Sequence, residues 1–161
     1  MDQANSHNDV LIFKDGPLGR ITLNRPKSLN ALNLDMIRDI TFALDSWAHD
    51  DDIKAVFIDG AGDRAFCAGG DIKSFYNIGM DYRRGKIGQD VAMVFFHEEY
   101  DLNEKIFNYS KPVISFMHGI TMGGGFGIAG HAKYKIITDD AVFAMPETRI
   151  GFFPDIGSMY H

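Results

Sequence analysis

Two glycine-rich stretches decide the fold class of this sequence: AFCAGGDIK at residues 65–73 and HGITMGGGFG at residues 118–127. The first comes shortly after an apolar run at residues 53–58, and the second comes directly after another at residues 113–117. Short apolar runs bounded by glycine are typical of buried strands. A helical pattern follows each stretch, so the order strand, glycine-rich turn, helix occurs twice. This order predicts stacked ββα units in an α/β protein.

The rest of the chain also alternates strands and helices. Residues 10–13 and 18–23 predict a β-hairpin across Asp15-Gly16-Pro17. Asn33 is expected to cap a helix whose apolar side chains recur at helical spacing up to Trp47. Further predicted elements are a looser helix at about residues 91–107 and strands at residues 134–137 and 142–143.

The composition excludes several classes of function. A formal net charge of -6 argues against non-specific nucleic-acid binding, which needs Lys and Arg to neutralise phosphates. No apolar run approaches the ~20 residues that a membrane helix requires. The single cysteine, Cys67, rules out an intramolecular disulfide, and residues 1–9 lack the character of a targeting segment. We therefore expect a cytoplasmic protein without nucleic-acid or membrane partners.

Each glycine loop on its own is explained by a tight turn or by close helix packing, because glycine adopts positive φ and has no side chain. The alternative is chemical. N–H groups at a strand-to-helix turn can point into a shared space, where the helix dipole also favours negative charge. Such donors stabilise a developing oxyanion by ~3–4 kcal/mol each. A Walker loop is excluded because no Gly-Lys-Ser/Thr follows, and the glycine spacing fits a dinucleotide fingerprint poorly.

Taken together, the two loops and an upstream segment resemble the crotonase (enoyl-CoA hydratase/isomerase) superfamily. The matching stretches occur in the family's order and span nearly the whole chain: residues 21–27, 29–32, 67–71 and 123–125. The resemblance implies one α/β domain over residues 1–161, a crotonase-like superhelical core of repeated ββα turns that binds acyl-CoA. We expect this core to lack the C-terminal helical region of complete family members, because the sequence stops at residue 161.

The resemblance also implies roles for the loop residues. In that family, the backbone N–H groups of Gly70 and Gly124 would form the oxyanion hole. The other implied contacts with acyl-CoA lie in the first loop, at Ala68, Gly69, Asp71 and Ile72. Since coenzyme A is part of the substrate, no separate cofactor and no metal are expected. Many crotonases form oligomers, so the resemblance also allows a homo-oligomer, in which the partner is a second copy of this chain.

Three carboxylates decide which family reaction is expected. Glu147 follows Met-Pro, where an acid could simply stabilise the first turn of a helix, whereas the crotonase pattern makes it catalytic. Asp155 is a turn residue when taken alone, and it resembles an acid of the family's thioester hydrolases. Glu99 falls on the apolar side of its predicted helix, where an ionised carboxylate is costly unless paired. Its alternative is a boundary residue that reaches water, whereas the hydrolase resemblance makes it a substrate contact.

The reaction that this resemblance implies is hydrolysis of a short β-hydroxyacyl-CoA, with 3-hydroxyisobutyryl-CoA from valine breakdown as the expected substrate. Typical hydratases carry a second glutamate shortly after the triple glycine, and Gly127 occupies that position here. Glu147 would attack the carbonyl or activate water, and the sequence does not choose between these roles. Asp155 would bind the β-hydroxyl or assist proton transfer to the thiolate. Cys67 is expected to be a packed loop residue rather than a nucleophile.

Two alternatives remain open at this point. Another crotonase reaction, such as isomerisation with Glu147 alone or hydration, would use the same oxyanion hole. A non-catalytic acyl-CoA-binding fragment would bind the thioester without turnover.

Overall fold

A computed structural model describes residues 9–160 of the chain. Residues 1–8, on which the expected lack of a targeting segment largely rests, lie outside this part, as does residue 161. The strands are β1 Val10–Asp15, β2 Leu18–Leu23, β3 Ala55–Gly60, β4 Ala65–Cys67, β5 Val113–Met117, β6 Ile120–Met122, β7 Tyr134–Ile137 and β8 Val142–Ala144. The α-helices are α1 Leu34–Ala48, α2 Ile72–Arg83, α3 Gln89–Phe107 and α4 Gly124–Gly130. Single turns of 3-10 helix cover Pro26–Ser28, Glu147–Ile150 and Ser158–Tyr160.

The strands form two sheets, and from β3 onward successive strands alternate between them. The larger sheet has the order β1-β2-β3-β5-β7, in which β1 and β2 are antiparallel and every other pair is parallel. The smaller sheet is parallel throughout and has the order β4-β6-β8. Both strands of the first turn lie in the larger sheet, whereas each later turn places one strand in the larger sheet, the next strand in the smaller sheet, and then a helical segment. This arrangement confirms the predicted superhelix of ββα turns.

Helix α1 covers the larger sheet with one apolar face. The Asn33 side chain accepts a hydrogen bond from the N–H of Met36 at 2.9 Å, so it caps the helix as its sequence position predicted. The side chains that α1 buries are Met36, Ile37, Ile40, Ala43, Leu44 and Trp47. They recur at three- and four-residue spacing, which is the period that puts them on one side of a helix.

The sequence did not predict strands β4 and β6. Each has three residues, too few to show a period of two, and each lies within the glycine-rich stretches themselves. The hairpin β1–β2 and the strands β5, β7 and β8 are close to their predicted positions. Helix α3 begins two residues earlier than expected, at Gln89.

The last strands in each sheet leave apolar side chains accessible. Exposed large apolar residues on β7 and β8 are Tyr134, Ile136, Ile137, Val142 and Phe143. None of the helices within residues 9–160 combines the length and the apolar character needed to cross a membrane.

Candidate active site

The smaller sheet brings the three segments of the site to one edge. Strands β4, β6 and β8 run parallel, so their carboxyl ends lie side by side. The loop 68–71 follows β4, the triple glycine follows β6, and Glu147 lies three residues beyond β8. A hydrogen bond of 3.2 Å from the N–H of Gly123 to the carbonyl of Ala144 joins the second and third segments. The fold itself therefore assembles groups that are far apart in sequence.

The two glycine loops touch each other at Gly69. This residue has a φ of 97°, and a Cβ atom placed on it would lie 3.0 Å from the Met122 carbonyl oxygen and 3.4 Å from the Gly124 nitrogen. The backbone hydrogen bonds recorded within residues 9–160 include none donated by the N–H of Gly70 or Gly124. Two amides on adjoining loops thus have donors available for a ligand oxygen, as an oxyanion hole requires.

Arg25 anchors the first loop. Its guanidinium donates to the carbonyl of Ala31 at 2.6 Å and to the Asp71 carboxylate at 2.9 Å. The other Asp71 oxygen accepts hydrogen bonds from the N–H groups of Lys73 and Ser74 at the start of α2. Although desolvation opposes them, these hydrogen bonds hold the pKa of Asp71 below its usual value.

The side chain of Asp71 therefore stabilises the loop. It was expected to contact the substrate, but its side chain is engaged by Arg25 and the α2 backbone, and Asp71 is not among the residues that line the cavity at this site. The other four expected residues of the loop, Ala68, Gly69, Gly70 and Ile72, do line it. Arg25 is a site-organising residue that sequence reasoning missed, since its partners are 6 and 46 residues away.

A cavity of about 480 Å³ lies over the two loops. Its polar lining includes Glu99, Glu147, Asp155 and Arg149, so all three candidate carboxylates meet there. Its aromatic lining is Phe75, Phe96 and Phe152, whose rings stack in sequence at centroid distances of 5.4 and 5.6 Å. The three acids come from α3, from the turn after β8 and from the following loop, so only the folded chain brings them together.

Glu147 lies in the first turn of a 3-10 helix and also faces the glycine loop. A Cβ atom placed on Gly123 would lie 2.8 Å from Glu147 Oε1. The side chain is buried, and Oε2 has no hydrogen-bond partner among the described residues. Desolvation, with a smaller contribution from Asp155, raises the pKa of Glu147 despite an opposing backbone hydrogen bond. A buried carboxylate that keeps one oxygen unpaired beside an oxyanion hole is typical of a catalytic base or nucleophile.

Glu99 approaches the same loop from the opposite element, α3. A Cβ atom placed on Gly124 would overlap Glu99 Oε1, which is buried and has no partner within the described part of the chain. Burial first, and then the charges of Asp155 and Glu147, raise the pKa of Glu99 to about 8. Near neutral pH this group is therefore mostly protonated, and it can donate a hydrogen bond as well as accept one.

This raised pKa predicts that wild-type stability falls with pH. Unfolded Glu99 loses its proton near its ordinary pKa of 4.5, but the folded state keeps it until about pH 8. The free energy of unfolding should therefore decrease by up to a few kcal/mol between these values. Glu99→Gln mimics the protonated side chain and should flatten this dependence. Urea denaturation at pH 5, 7 and 9 measures it, and parallel curves for the two proteins would contradict the assignment.

Asp155 lies at the edge of the cavity, in the loop that follows Gly151. Its carboxylate accepts a hydrogen bond of 2.5 Å from the hydroxyl of Tyr100, the residue next to Glu99 on α3. Together with Tyr100, Asp155 also lines a second cavity, of about 680 Å³. The pairing with Tyr100 was not predicted, because 55 residues separate the partners and nothing in the local sequence signals it.

Cys67 lies beneath the loops and is completely buried. Its Sγ donates to the carbonyl oxygen of Asn30 at 3.1 Å. Burial raises the pKa of the thiol to about 12, so the thiolate needed for nucleophilic attack is absent at neutral pH. A Cβ atom placed on Gly125 would overlap the Cys67 carbonyl oxygen, which shows how closely α4 packs against β4. The structure thus agrees with a packing role for this cysteine.

Residues 18–161 match the sequence model of a family described as enoyl-CoA hydratase/isomerase. Among curated proteins, the chain is similar to 3-hydroxyisobutyryl-CoA hydrolases described as mitochondrial. Identity is 48% to the Danio rerio protein over 99% of this chain and 40% of that protein. Identity to the Homo sapiens protein is also 48%, over 94% of this chain and 38% of that protein. The chain thus spans about 40% of the length of these relatives.

Solved structures give the same fold. The carnitinyl-CoA dehydratase from Mycobacterium thermoresistibile has a TM-score of 0.88 and 42% identity, over 96% of this chain and 44% of that chain. The enoyl-CoA hydratase from Rhodobacter sphaeroides has a TM-score of 0.84 and 43% identity, over 92% of this chain and 43% of that chain.

The expected cytoplasmic location is wrong by comparison with the curated relatives, which are mitochondrial proteins.

Proposed function

This chain belongs to the enoyl-CoA hydratase/isomerase family, and we propose that it hydrolyses a short β-hydroxyacyl-CoA thioester. The proposed substrate is 3-hydroxyisobutyryl-CoA, which valine breakdown would supply. The observation that carries the proposal is the pair of buried carboxyl groups, Glu147 and Glu99, that contact Gly123 and Gly124 and each keep one oxygen unpaired. The identity of 48% to 3-hydroxyisobutyryl-CoA hydrolases supports it.

The proposed reaction begins with the thioester carbonyl in the oxyanion hole. Its oxygen would accept hydrogen bonds from the N–H groups of Gly70 and Gly124, which have no recorded backbone acceptor among the described residues. Negative charge that develops on this oxygen is stabilised more than the neutral carbonyl, so the barrier falls. The stacked rings of Phe75, Phe96 and Phe152 would exclude water from the acyl group and limit its size.

Glu147 then has two possible roles that give the same products. As a nucleophile, it would bond to the carbonyl carbon and expel the thiolate, and water would cleave the resulting anhydride. As a general base, it would take a proton from water while the water oxygen attacks the carbon and the C–S bond breaks. In both routes the thiolate gains a proton and leaves as coenzyme A. The raised pKa of Glu147 makes its carboxylate a stronger base.

The other two acids would orient the β-hydroxyl and the leaving group. A protonated Glu99 can donate to the substrate hydroxyl or accept from it, as its raised pKa of about 8 allows. Asp155, held by Tyr100 at the edge of the cavity, can accept a hydrogen bond from the same hydroxyl. Specificity would then depend on a polar contact, which discriminates strongly against analogues that lack the hydroxyl. No step in this scheme requires a separate cofactor or a metal. The expectation that the protein uses neither stays a prediction.

The proposal is tested by thiol release from three thioesters. Purified chain should release coenzyme A from 3-hydroxyisobutyryl-CoA and much more slowly from isobutyryl-CoA, which lacks the β-hydroxyl. Methacrylyl-CoA reports the hydration alternative, because hydration removes its enoyl absorbance without thiol release. Binding of all three without turnover would favour the non-catalytic alternative and would overturn hydrolysis.

Hydration is disfavoured by the surroundings of Gly127, where typical hydratases carry their second glutamate. A Cβ atom on Gly127 would lie 2.9 Å from Nδ2 and 3.0 Å from Oδ1 of Asn103 on α3. Asn103 is buried, and its amide atoms have no partner among the described residues. The space that a second acid would need is therefore filled by this amide.

This packing predicts that a second acid cannot simply be added. Gly127→Glu should lower the free energy of unfolding by about 1–3 kcal/mol, because it overpacks a filled site. Adding Asn103→Ala should recover part of that loss, and Asn103→Ala alone serves as the matched control. Urea denaturation measures all three variants. Wild-type stability in Gly127→Glu would show that the site has room for the acid, and the argument against hydration would then fail.

A further inference from the structure

Tyr100 lies beside the candidate site without lining its cavity. It follows Glu99 on α3, but its hydroxyl points to the loop after Gly151 and donates to Asp155 Oδ2 at 2.5 Å. Burial first, and then the hydrogen bond with Asp155, raise the pKa of Tyr100 above its ordinary value. The hydroxyl therefore stays protonated and acts as a donor to the carboxylate. The contact joins a helix to a loop that carries a candidate site residue.

The loop has few other means of fixing the Asp155 side chain. Its backbone carbonyl accepts from the N–H of Ser158 at 3.0 Å, which orders the turn but leaves the carboxylate free to rotate. Tyr100 is the hydrogen-bond donor recorded for that carboxylate within residues 9–160. Asp155 is half-buried and lies between the two cavities. Without the phenol, it could turn toward solvent or toward the larger cavity.

The position of Asp155 matters to two neighbouring carboxyl groups, because its charge raises their pKa values. Glu99 and Glu147 line the same cavity, and the charge of Asp155 acts on both of them. Glu104 and His131 line the second cavity together with Asp155 and Tyr100. Like charges in a shared site favour protonation of one member. The charge of Asp155 therefore helps to keep the proton on buried Glu99.

We propose that Tyr100 is a positioning residue, which holds the carboxyl group of Asp155 at the edge of the acyl cavity beside Glu99 and Glu147. The proposal rests on the proposed function only in that Asp155 would contact the substrate there. A hydrogen bond to a charged group contributes enough to set a side-chain position. The bond would act before the chemistry, by fixing Asp155 before the thioester binds.

The first test does not depend on turnover. In chain with ¹³C-labelled glutamate, NMR should give a Glu99 titration midpoint of about 8 for the wild type. Asp155→Asn should lower this midpoint, because it removes one of two nearby negative charges, and Glu147 remains as the other. Tyr100→Phe should lower it as well, since the released Asp155 carboxylate turns away. The double variant should match Asp155→Asn alone, because Tyr100 acts through Asp155.

The second test separates positioning from general stability. Tyr100→Phe should lower kcat for 3-hydroxyisobutyryl-CoA by about 10–100-fold, with a smaller change in KM. In the Asp155→Asn background it should have no further effect. Tyr109→Phe is the matched control, because that hydroxyl donates to the Leu44 carbonyl at 2.5 Å, away from the site. The control should lower stability and leave kcat and the Glu99 midpoint unchanged.

The outcomes distinguish the two proposals. An unchanged Glu99 midpoint in Tyr100→Phe, or a further shift in the Asp155→Asn background, would overturn the positioning role. Wild-type chain that releases no coenzyme A would overturn the proposed hydrolysis, and the titration would still decide the role of Tyr100. Parallel changes in Tyr100→Phe and Tyr109→Phe would show that loss of any tyrosine hydroxyl has this effect, and they would also overturn the proposal.

Discussion

Glu147→Gln is expected to lower the rate of coenzyme A release by about 10²–10⁴-fold. The amide preserves the shape of the side chain beside Gly123 but can neither attack a carbonyl nor remove a proton from water. Binding should change little, since the amides of Gly70 and Gly124 and the aromatic wall stay in place. Thiol release gives kcat, and calorimetry with a non-hydrolysable thioether analogue of the substrate gives the dissociation constant.

The matched control for this variant is Glu98→Gln. Glu98 lies on α3 and faces outward, and its carboxylate pairs with Arg38 at 2.7 Å. Surface pairs of this kind contribute little to stability, and Glu98 does not line the cavity. Glu98→Gln should therefore keep wild-type turnover. A Glu147→Gln protein that retains more than about a tenth of the wild-type rate would remove Glu147 from the mechanism.

Gly125→Ala is expected to destabilise the fold strongly. Its Cβ atom would overlap the carbonyl oxygen of Cys67 and would lie 2.7 Å from the Cys67 Cβ atom. The obstacle is the backbone of a buried strand, which cannot move aside as the end of a flexible side chain can. The free energy of unfolding should fall by about 1–3 kcal/mol or more. Urea denaturation with linear extrapolation measures the difference.

Gly79→Ala provides the contrast within the same protein. Gly79 lies in the interior of α2, and an added Cβ atom would meet no other atom within 4 Å. Alanine there should raise stability by roughly 0.4–1 kcal/mol, mainly because it restricts the unfolded chain. If both variants were equally stable, the close packing between α4 and β4 would not exist as described.

The sequence carried most of the information about the superhelix. The glycine stretches after apolar runs, the capping position of Asn33 and the hairpin turn are local signals, and each leads to the observed element. Strands β4 and β6 have three residues each, which is too short for such a signal. They are defined by their pairing with strands that are distant in sequence. The smaller sheet, which assembles the site, was therefore the part of the fold that sequence patterns did not reveal.

The candidate site was predictable as a set of residues and not as an arrangement. The family resemblance gave Glu99, Glu147 and Asp155, but their convergence depends on contacts between α3, the turn after β8 and the following loop. The raised pKa of Glu99 follows from that convergence and from burial, neither of which is local. Asp71 shows the reverse case. It lies in the matched motif, yet its carboxylate is bound by Arg25, whose distance in sequence hides the pairing.

The burial of Cys67 has a practical consequence for measuring this activity. Colorimetric reagents that detect free thiols would report coenzyme A as it leaves, and protein cysteines commonly add an unwanted signal to such assays. The chain contains a single cysteine, and its sulfur is fully covered and poorly ionised in the folded protein. Native protein should therefore be silent toward these reagents. A slow background signal would instead count the unfolded molecules in the preparation.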